Sequence, residues 1–193
     1  MIDLASLFQD GPTEKGSFLS RVFGIFNEEI IRIWARNERS PYNIHARRPT
    51  LYEGIRGYTL DFLLERNGEL FVAEMKCEIQ YQDYKYWCLT NPKQLEHHLS
   101  KKAFELFLRL SHDSQSVPVK AGKPIEVKGT VLVWGSATPA GITAVREKFG
   151  ISDVLSVESC IHDLIEWNSL EYLTLLRERE QWLSSLFNGL RTG

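Results

Sequence analysis

Apolar side chains recur every third or fourth residue along four stretches of the chain, which is the spacing that places them on one face of an α-helix. In the first stretch this stripe is formed by Phe18, Leu19, Val22, Phe23, Phe26, Ile30, Ile33 and Trp34. The pattern predicts helices over 17–37, 92–111, 139–149 and 158–188, the last with a break near Asn168-Ser169. Asn91-Pro92 supports the second helix, because Asn caps helices and Pro suits the first helical position.

Two neighbouring stretches have the composition of β-strands and flank an Asn-Gly dipeptide. Residues 58–66 and 69–76 are rich in apolar and aromatic side chains, and Asn67-Gly68 lies between them. This dipeptide favours a type I′ turn, because both central residues of that turn need a positive φ. The sequence therefore predicts an antiparallel hairpin. A continuous apolar run over 129–134 predicts a buried strand, and 154–157 predicts a further short strand.

The order of these elements predicts an α/β fold with helices flanking a central mixed β-sheet. The chain has 193 residues, of which 43% are hydrophobic and 25% are charged, as expected for one domain with its own core. Residues 158–188 would form a C-terminal helical extension of that domain. The three cysteines are not spaced as a disulfide framework or a zinc motif. Residues 40–50 contain two prolines and are predicted to be a connector or a short edge strand, and 111–128 are polar with two prolines and are predicted to be a loop.

The two-residue turn fixes which residues of the hairpin face each other, and in that register Asp61 faces Glu74. Side chains alternate between the faces of a sheet, so Lys76 lies on the same face as Glu74. Opposed like charges destabilise a sheet, and these two acids therefore need compensation. Lys76 can neutralise one acid in a structural salt-bridge cluster, whereas a divalent cation such as Mg²⁺, which prefers oxygen ligands, can neutralise both.

Asp61, followed after twelve residues by Glu74-Met75-Lys76, resembles the signature of the PD-(D/E)xK nuclease superfamily, which includes restriction endonucleases, Holliday junction resolvases and RecB-type exonucleases. The resemblance implies a restriction endonuclease-like core: a helix, a three-stranded antiparallel meander, a second helix and a further strand, covering about residues 15–135. It also implies that the two acids bind Mg²⁺ or Mn²⁺, with the carbonyl of Met75 as an additional ligand. Lys76 would then orient or activate the attacking water.

Two departures from the family pattern concern the residue before Asp61 and the first helix. Leu60 replaces the proline that often precedes the family's aspartate, and Ser20 stands where the similar resolvase opening has a glutamate. We take Glu29 as the candidate acid from the first helix, because a helical wheel places it at the margin of the apolar stripe. The same wheel directs Glu28 to solvent.

The charges are nearly balanced over the whole chain, with a formal net charge of -2, so a nucleic-acid contact must be local. Six arginines lie between Arg32 and Arg56, against two glutamates in the same stretch. Arginine binds phosphate through bidentate contacts, and Arg47, Arg48 and Arg56 are the candidate DNA-binding residues. An ordinary solvated basic face is the alternative.

Two further groups carry alternative interpretations. His97 and His98 would either contact a metal or phosphate or have surface roles; because they point about 100° apart on an α-helix and cannot both face one site, surface roles are expected. Aromatic residues between Tyr81 and Trp87, together with Lys85, would either stack on bases or pack in the core.

These observations predict a Mg²⁺-dependent nuclease acting on DNA, and the alternative is a non-catalytic nucleic-acid-binding or assembly module on the same fold. No stretch of 18 or more apolar residues indicates a membrane span, and the acidic N-terminus is unlike a signal peptide. A cytoplasmic location is expected. A homodimer is compatible with the sequence, which leaves the oligomeric state, the choice between DNA and RNA, and endo- or exonuclease action open.

Overall fold

The computed structural model describes residues 3–192. Its helices are α1 (Leu4–Gln9), α2 (Thr13–Arg36), α3 (Lys102–His112), α4 (Pro139–Phe149), α5 (Val157–Glu166) and α6 (Leu170–Thr192), with a 3₁₀ helix over Pro92–His98. Its strands are β1 (Asn43–Ile44), β2 (Thr50–Glu53), β3 (Arg56–Thr59), β4 (Phe62–Arg66), β5 (Glu69–Lys76), β6 (Cys88–Leu89), β7 (Val119–Lys120), β8 (Pro124–Ile125), β9 (Gly129–Trp134), β10 (Ser136–Ala137) and β11 (Asp153–Ser156).

A mixed five-stranded sheet lies at the centre of the fold, in the order β1-β4-β5-β9-β11. The strands β1, β4 and β5 pair antiparallel, and β9 and β11 continue the sheet parallel to β5. Apolar side chains of α1, α2, α5 and α6 pack on one face, and those of α3 and α4 pack on the other. The predicted α/β class with a mixed central sheet is confirmed.

The Asn67-Gly68 turn and the register it imposes are as predicted. Both residues have left-handed backbone, with φ of 56° at Asn67 and 80° at Gly68. Pairing runs from Arg66 with Glu69 to Phe62 with Ala73, so the register follows from the turn. Beyond Ala73, β5 continues for three residues that pair with β9 alone among the described strands.

The predicted strand over 58–66 is divided between two sheets. Its first residues belong to β3, which pairs with β2 in a separate sheet of order β3-β2-β7-β8. Leu60 packs with the core on the α3 side, whereas Phe62 packs on the α2 side, so the chain changes sheets between them. The strands β7 and β8 lie in a segment predicted to be irregular, because a two-residue strand leaves no periodic pattern.

The helix predicted over 92–111 is also divided, into the 3₁₀ helix and α3. Gln94 holds the start of the 3₁₀ helix: its Oε1 accepts from the backbone N–H groups of Thr90 and Asn91, at 2.7 and 3.0 Å. Its Nε2 donates to the carbonyls of Lys85 and Cys88. Gln94 therefore satisfies the backbone of an irregular segment.

The remaining predicted elements are confirmed with small shifts of their ends. These are α2, α4, β9, β11 and the break between α5 and α6. The helix α5 is part of the core, since Trp34 of α2 donates from Nε1 to Asp163 at 2.8 Å and Leu164 is fully buried. No helix within residues 3–192 has the length and apolar character needed to cross a membrane.

We expect Gly68→Ala to destabilise the protein by about 1 kcal/mol, because alanine is strained in left-handed backbone. Gly24→Ala is the matched control: Gly24 lies in the interior of α2, with no neighbour within 4 Å of an added Cβ. It should stabilise the protein by ~0.5–1 kcal/mol. Urea unfolding of both variants measures the two changes. A neutral or stabilising Gly68→Ala would contradict a turn-imposed register.

Candidate active site

A cavity of about 250 Å³ opens at the end of β5. It is lined by Asn27, Glu28, Asp61, Glu74, Met75, Lys76 and Cys77. Three elements supply these residues: α2, the segment between β3 and β4, and the end of β5 with the residue after it. The structure brings Asp61, Glu74, Met75 and Lys76 together on one cavity. Asp61 does not face Glu74 across the hairpin as predicted, because the pairing of β4 with β5 ends at Phe62 with Ala73 and Asp61 lies before β4.

Glu74 and Lys76 are two residues apart on β5 and share one face of the sheet. The Glu74 side chain is buried, and its Oε1 accepts a hydrogen bond from the Lys76 ammonium. That ammonium also lies 5.7 Å from the centre of the Phe104 ring. The Lys76 side chain is 17% exposed, and its ammonium thus lies between the Glu74 carboxylate and the Phe104 ring.

Asp61 lies one residue before β4, where the chain leaves the smaller sheet. Its Oδ2 accepts a hydrogen bond from the backbone N–H of Met75 at 2.8 Å. Its backbone carbonyl lies 3.5 Å from Nη2 of Arg32, which donates to it. Asp61 is therefore fixed beside β5 by its side chain, in a stretch where β4 pairing has ended.

Burial raises the pKa of the Glu74 carboxyl from an ordinary value of 4.5 to about 7. The ammonium of Lys76 acts against this rise, and the negative charge of Asp61 adds to it. Glu74 can therefore gain or lose a proton near neutral pH, and any group that binds its charged form must overcome the cost of burial.

The glutamate that α2 contributes to the cavity is Glu28, not the expected Glu29. Oε2 of Glu28 accepts from Nη2 of Arg32 at 3.5 Å and also contacts Arg48. Glu29 instead forms an ion pair with Arg179 of α6. The prediction of Glu29 as the site acid is wrong because α6 packs along the Glu29 side of α2, which leaves the Glu28 side to face the end of the sheet.

Asn27 is a site residue that the sequence reasoning missed. It is buried in the cavity wall together with Cys77, and its side chain lowers the pKa of the Cys77 thiol against the larger effect of burial. Burial raises the pKa of Cys77 to about 12, so its thiol stays protonated and is a poor nucleophile. The available signal was a polar residue within an apolar stripe, since Asn27 lies one turn from Phe23 and from Ile31.

The three candidate DNA-binding arginines are exposed but lie in different surroundings. Arg48 contacts Glu28 and so lies at the rim of the cavity. The guanidinium of Arg47 lies against Gly122 in the turn between β7 and β8. Arg56 begins β3, and its guanidinium lies 5.1 Å from the centre of the Tyr58 ring.

The expectation that His97 and His98 occupy separate surface positions is wrong. His98 is 1% exposed, and the centres of the two rings lie 3.9 Å apart. Both Nε2 atoms approach Glu78, at 2.7 Å from Oε2 for His97 and 3.3 Å from Oε1 for His98. The two rings nevertheless reach one site, because they lie close together at the end of the 3₁₀ helix and Glu78 offers a separate carboxylate oxygen to each.

The aromatic residues before this helix are largely used in packing. The ring of Trp87 is buried against Phe8 and Phe23. Tyr84 stacks on Phe8 at 6.2 Å. Tyr81 is 41% exposed, and its ring stacks on His97.

No protein-family model, curated protein or solved structure matches this chain. Its function is therefore inferred from the geometry and chemistry of the site.

We expect the metal-free protein to lose stability as the pH rises from about 4.5 to 7, through the titration of Glu74. In this window the folded protein holds a proton that the unfolded chain has released, so raising the pH favours unfolding. A shift from 4.5 to about 7 corresponds to about 3 kcal/mol. Urea unfolding at several pH values in a chelator measures the loss, and Glu74→Gln should remove it.

Glu96→Gln is the control, since Glu96 is exposed and pairs with Lys148 at 3.2 Å. This variant should keep the pH dependence of the parent. Equal slopes for the parent and Glu74→Gln would show that Glu74 does not hold the proton.

Proposed function

We propose that this protein is a metal-dependent nuclease of the PD-(D/E)xK type that cleaves phosphodiester bonds in DNA. The observation that carries the proposal is the convergence of Asp61, Glu74 and Lys76 on one open cavity. Phosphodiester hydrolysis needs an activated water and stabilisation of charge on the phosphate, and acidic metal ligands beside a lysine suit both needs.

The order of elements around the site supports the same proposal. A helix, α2, is followed by the three antiparallel strands β1, β4 and β5, then by α3 and the parallel strand β9. This is the order that the resemblance implies for a restriction endonuclease-like core. In this interpretation β2 and β3 form a hairpin inserted between the first two strands of the meander.

The site fits a hard divalent cation, Mg²⁺ or Mn²⁺. Asp61 and Glu74 provide carboxylate oxygens on the cavity, Glu28 adds a carboxylate at its wall, and the carbonyl of Met75, a residue of the same wall, is the additional ligand that the resemblance implies. The cavity volume of about 250 Å³ is several times the ~30 Å³ that one water occupies, so an ion with part of its hydration shell fits. When bound, such a cation supplies a nucleophilic hydroxide near neutral pH and stabilises negative charge on phosphate.

The protein's own groups have distinct roles in this proposal. Lys76 is placed to donate a hydrogen bond to the attacking water, because its ammonium already reaches the Glu74 carboxylate inside the cavity. Asp61 is oriented by the Met75 N–H, which leaves its other oxygen available to a cation. Arg32 and Arg48 meet at Glu28 beside the cavity and are placed to contact the phosphates of bound DNA.

A non-catalytic module on this fold is the second candidate, and two contacts favour it. The Glu74 carboxylate already pairs with Lys76, and Asp61 already accepts from the Met75 N–H. Both acids therefore have partners within the protein, as in a structural cluster. The two candidates differ in what the loss of one acid does to stability and metal binding.

We expect Asp61→Asn to abolish DNA cleavage in Mg²⁺ or Mn²⁺ while leaving metal-free stability equal to the parent or higher. The substitution removes one of two neighbouring negative charges at nearly constant volume, and the amide oxygen can still accept from Met75. The increase in melting temperature on adding Mg²⁺ should largely disappear, because a ligand stabilises only a protein that binds it. Thermal melts and cleavage of plasmid, linear and branched DNA measure these effects.

The control for this variant is Asp113→Asn, at an exposed position after α3 where the side chain accepts from the N–H of Gln115. It should retain cleavage and the Mg²⁺ response. If Asp61→Asn melted far below the parent in chelator and the parent cleaved no DNA, the structural-cluster candidate would replace the nuclease.

We expect replacement of both Arg47 and Arg48 by alanine to weaken DNA binding and to reduce the slope of log affinity against log salt by about 2, or about 1 for each lost phosphate contact. Fluorescence anisotropy over a range of salt concentrations measures both quantities. Replacing Arg177 and Arg191 of α6 removes the same charge elsewhere on the surface and should leave the slope unchanged. Equal slopes for the two double variants would place the DNA contact away from Arg47 and Arg48.

A further inference from the structure

Glu78, His97 and His98 form a second cluster of ligand-type side chains, outside the cavity that contains Asp61. One ligand atom from each residue lies within 4.8 Å of the ligand atoms of the other two. They come from the two ends of one segment: Glu78 lies two residues after β5, and the histidines close the 3₁₀ helix. The cluster is thus formed by the fold and not by local spacing.

The cluster leaves buried ring nitrogens without hydrogen-bond partners. Within residues 3–192, neither nitrogen of His98 has such a partner, although the ring is 1% exposed. Nε2 of His98 lies 3.3 Å from the Glu78 carboxylate without the geometry of a hydrogen bond. Buried polar groups nearly always have a partner, so an unpartnered nitrogen directed at a carboxylate points to a ligand between them.

Aromatic side chains hold the two imidazoles in place. Tyr81 stacks on the His97 ring, and Tyr86 meets the same ring edge-on, each at 5.0 Å between centres. The His98 ring packs against Phe104 at 5.4 Å and Trp134 at 6.2 Å. Binding an ion would therefore require little reordering of these side chains, which lowers its cost.

The identity and spacing of the donors indicate the class of ion. Two imidazole nitrogens and one carboxylate oxygen suit a divalent transition metal, whereas Mg²⁺ prefers an all-oxygen site. Donors at 2.0–2.1 Å from a tetrahedral ion are about 3.3 Å apart. The His98–Glu78 separation of 3.3 Å matches this spacing, whereas His97 is hydrogen-bonded to Glu78 at 2.7 Å, so a bound ion would replace that hydrogen bond and move the two groups slightly apart. We propose that Glu78, His97 and His98 bind one divalent transition-metal ion of the Zn²⁺ class.

An ion at this position would cross-link the two ends of the segment between β5 and α3. That segment includes three consecutive non-glycine residues in left-handed backbone, Gln82, Asp83 and Tyr84, with φ of 45°, 53° and 65°. Such backbone is unfavourable and persists only where the surrounding structure holds it. The ion would therefore stabilise the folded chain, independently of any metal at Asp61 and Glu74.

The test is calorimetric titration of chelator-stripped full-length protein with ZnCl₂, together with visible absorption after addition of Co²⁺. We expect one Zn²⁺ per chain at this cluster, in addition to any Zn²⁺ that binds at Asp61 and Glu74, and the intense absorption of tetrahedral Co²⁺. His97→Gln and Glu78→Gln should each weaken binding roughly 100-fold or more, since even indirect partners of metal ligands contribute 10–100-fold. Circular dichroism verifies that each variant is folded. His97 and Glu78 are chosen because they are partly exposed, whereas replacement of the buried His98 by alanine could prevent folding.

Two controls separate this site from others. His45→Gln removes a histidine that lies 2.9 Å from Glu65 on the surface, and it should leave Zn²⁺ binding unchanged. Asp61→Asn removes a ligand of the other proposed site and should keep the Zn²⁺ bound by Glu78, His97 and His98, so titration of this variant isolates the cluster from the proposed nuclease site. Absence of micromolar Zn²⁺ binding by the parent, or unchanged binding by both His97→Gln and Glu78→Gln, would overturn the proposal.

Discussion

The pairing of β4 with β5 starts at the Asn67-Gly68 turn and determines the position of every residue of β5 relative to the rest of the sheet. On its other side β5 pairs in parallel with β9, from Phe71 with Gly129 to Lys76 with Trp134. A shift of one residue in either pairing would move Glu74 and Lys76 to the opposite face and bring apolar side chains into the cavity. The turn therefore constrains both the core and the site.

The difference in length between β4 and β5 explains why the site lies where it does. Pairing with β4 ends at Ala73, and the N–H of Met75 is satisfied by the Asp61 side chain. Asp61 takes the place of a strand at the edge of β5, because the chain there is passing between the two sheets. The cavity opens at the same gap in pairing. The early end of β4 therefore accounts both for the unpaired backbone of β5 and for the accessible Asp61 carboxylate.

Local signals in the sequence were sufficient for the hairpin and its register, since turn type and strand alternation are short-range properties. They placed Asp61 near Glu74 but did not indicate its position outside β4, which depends on the change of sheet before Phe62. They were insufficient where tertiary packing decided the outcome. The packing of α6 on α2 placed Glu29 against Arg179 and left Glu28 at the cavity. Residues 92–111 have a helical pattern throughout, yet they form a 3₁₀ helix followed by an α-helix, and His97 and His98 at the end of the first meet Glu78 of another segment, which no local pattern indicates.

Charge balance at the end of β5 links the structure to the proposed chemistry. The ammonium of Lys76 can balance one of the two neighbouring carboxylates, and the raised pKa of Glu74 shows that it does not offset the cost of burial and repulsion. Near neutral pH the metal-free site therefore takes up a proton. In the proposed function, a bound divalent cation would replace that proton and would release Lys76 to contact water. In a purely structural cluster, a Glu74 carboxyl that is partly protonated near neutral pH would add no stability. In the proposed function, the burial of Glu74 would be balanced by a bound cation together with Lys76, and in the structural-cluster alternative it would be balanced by Lys76 alone.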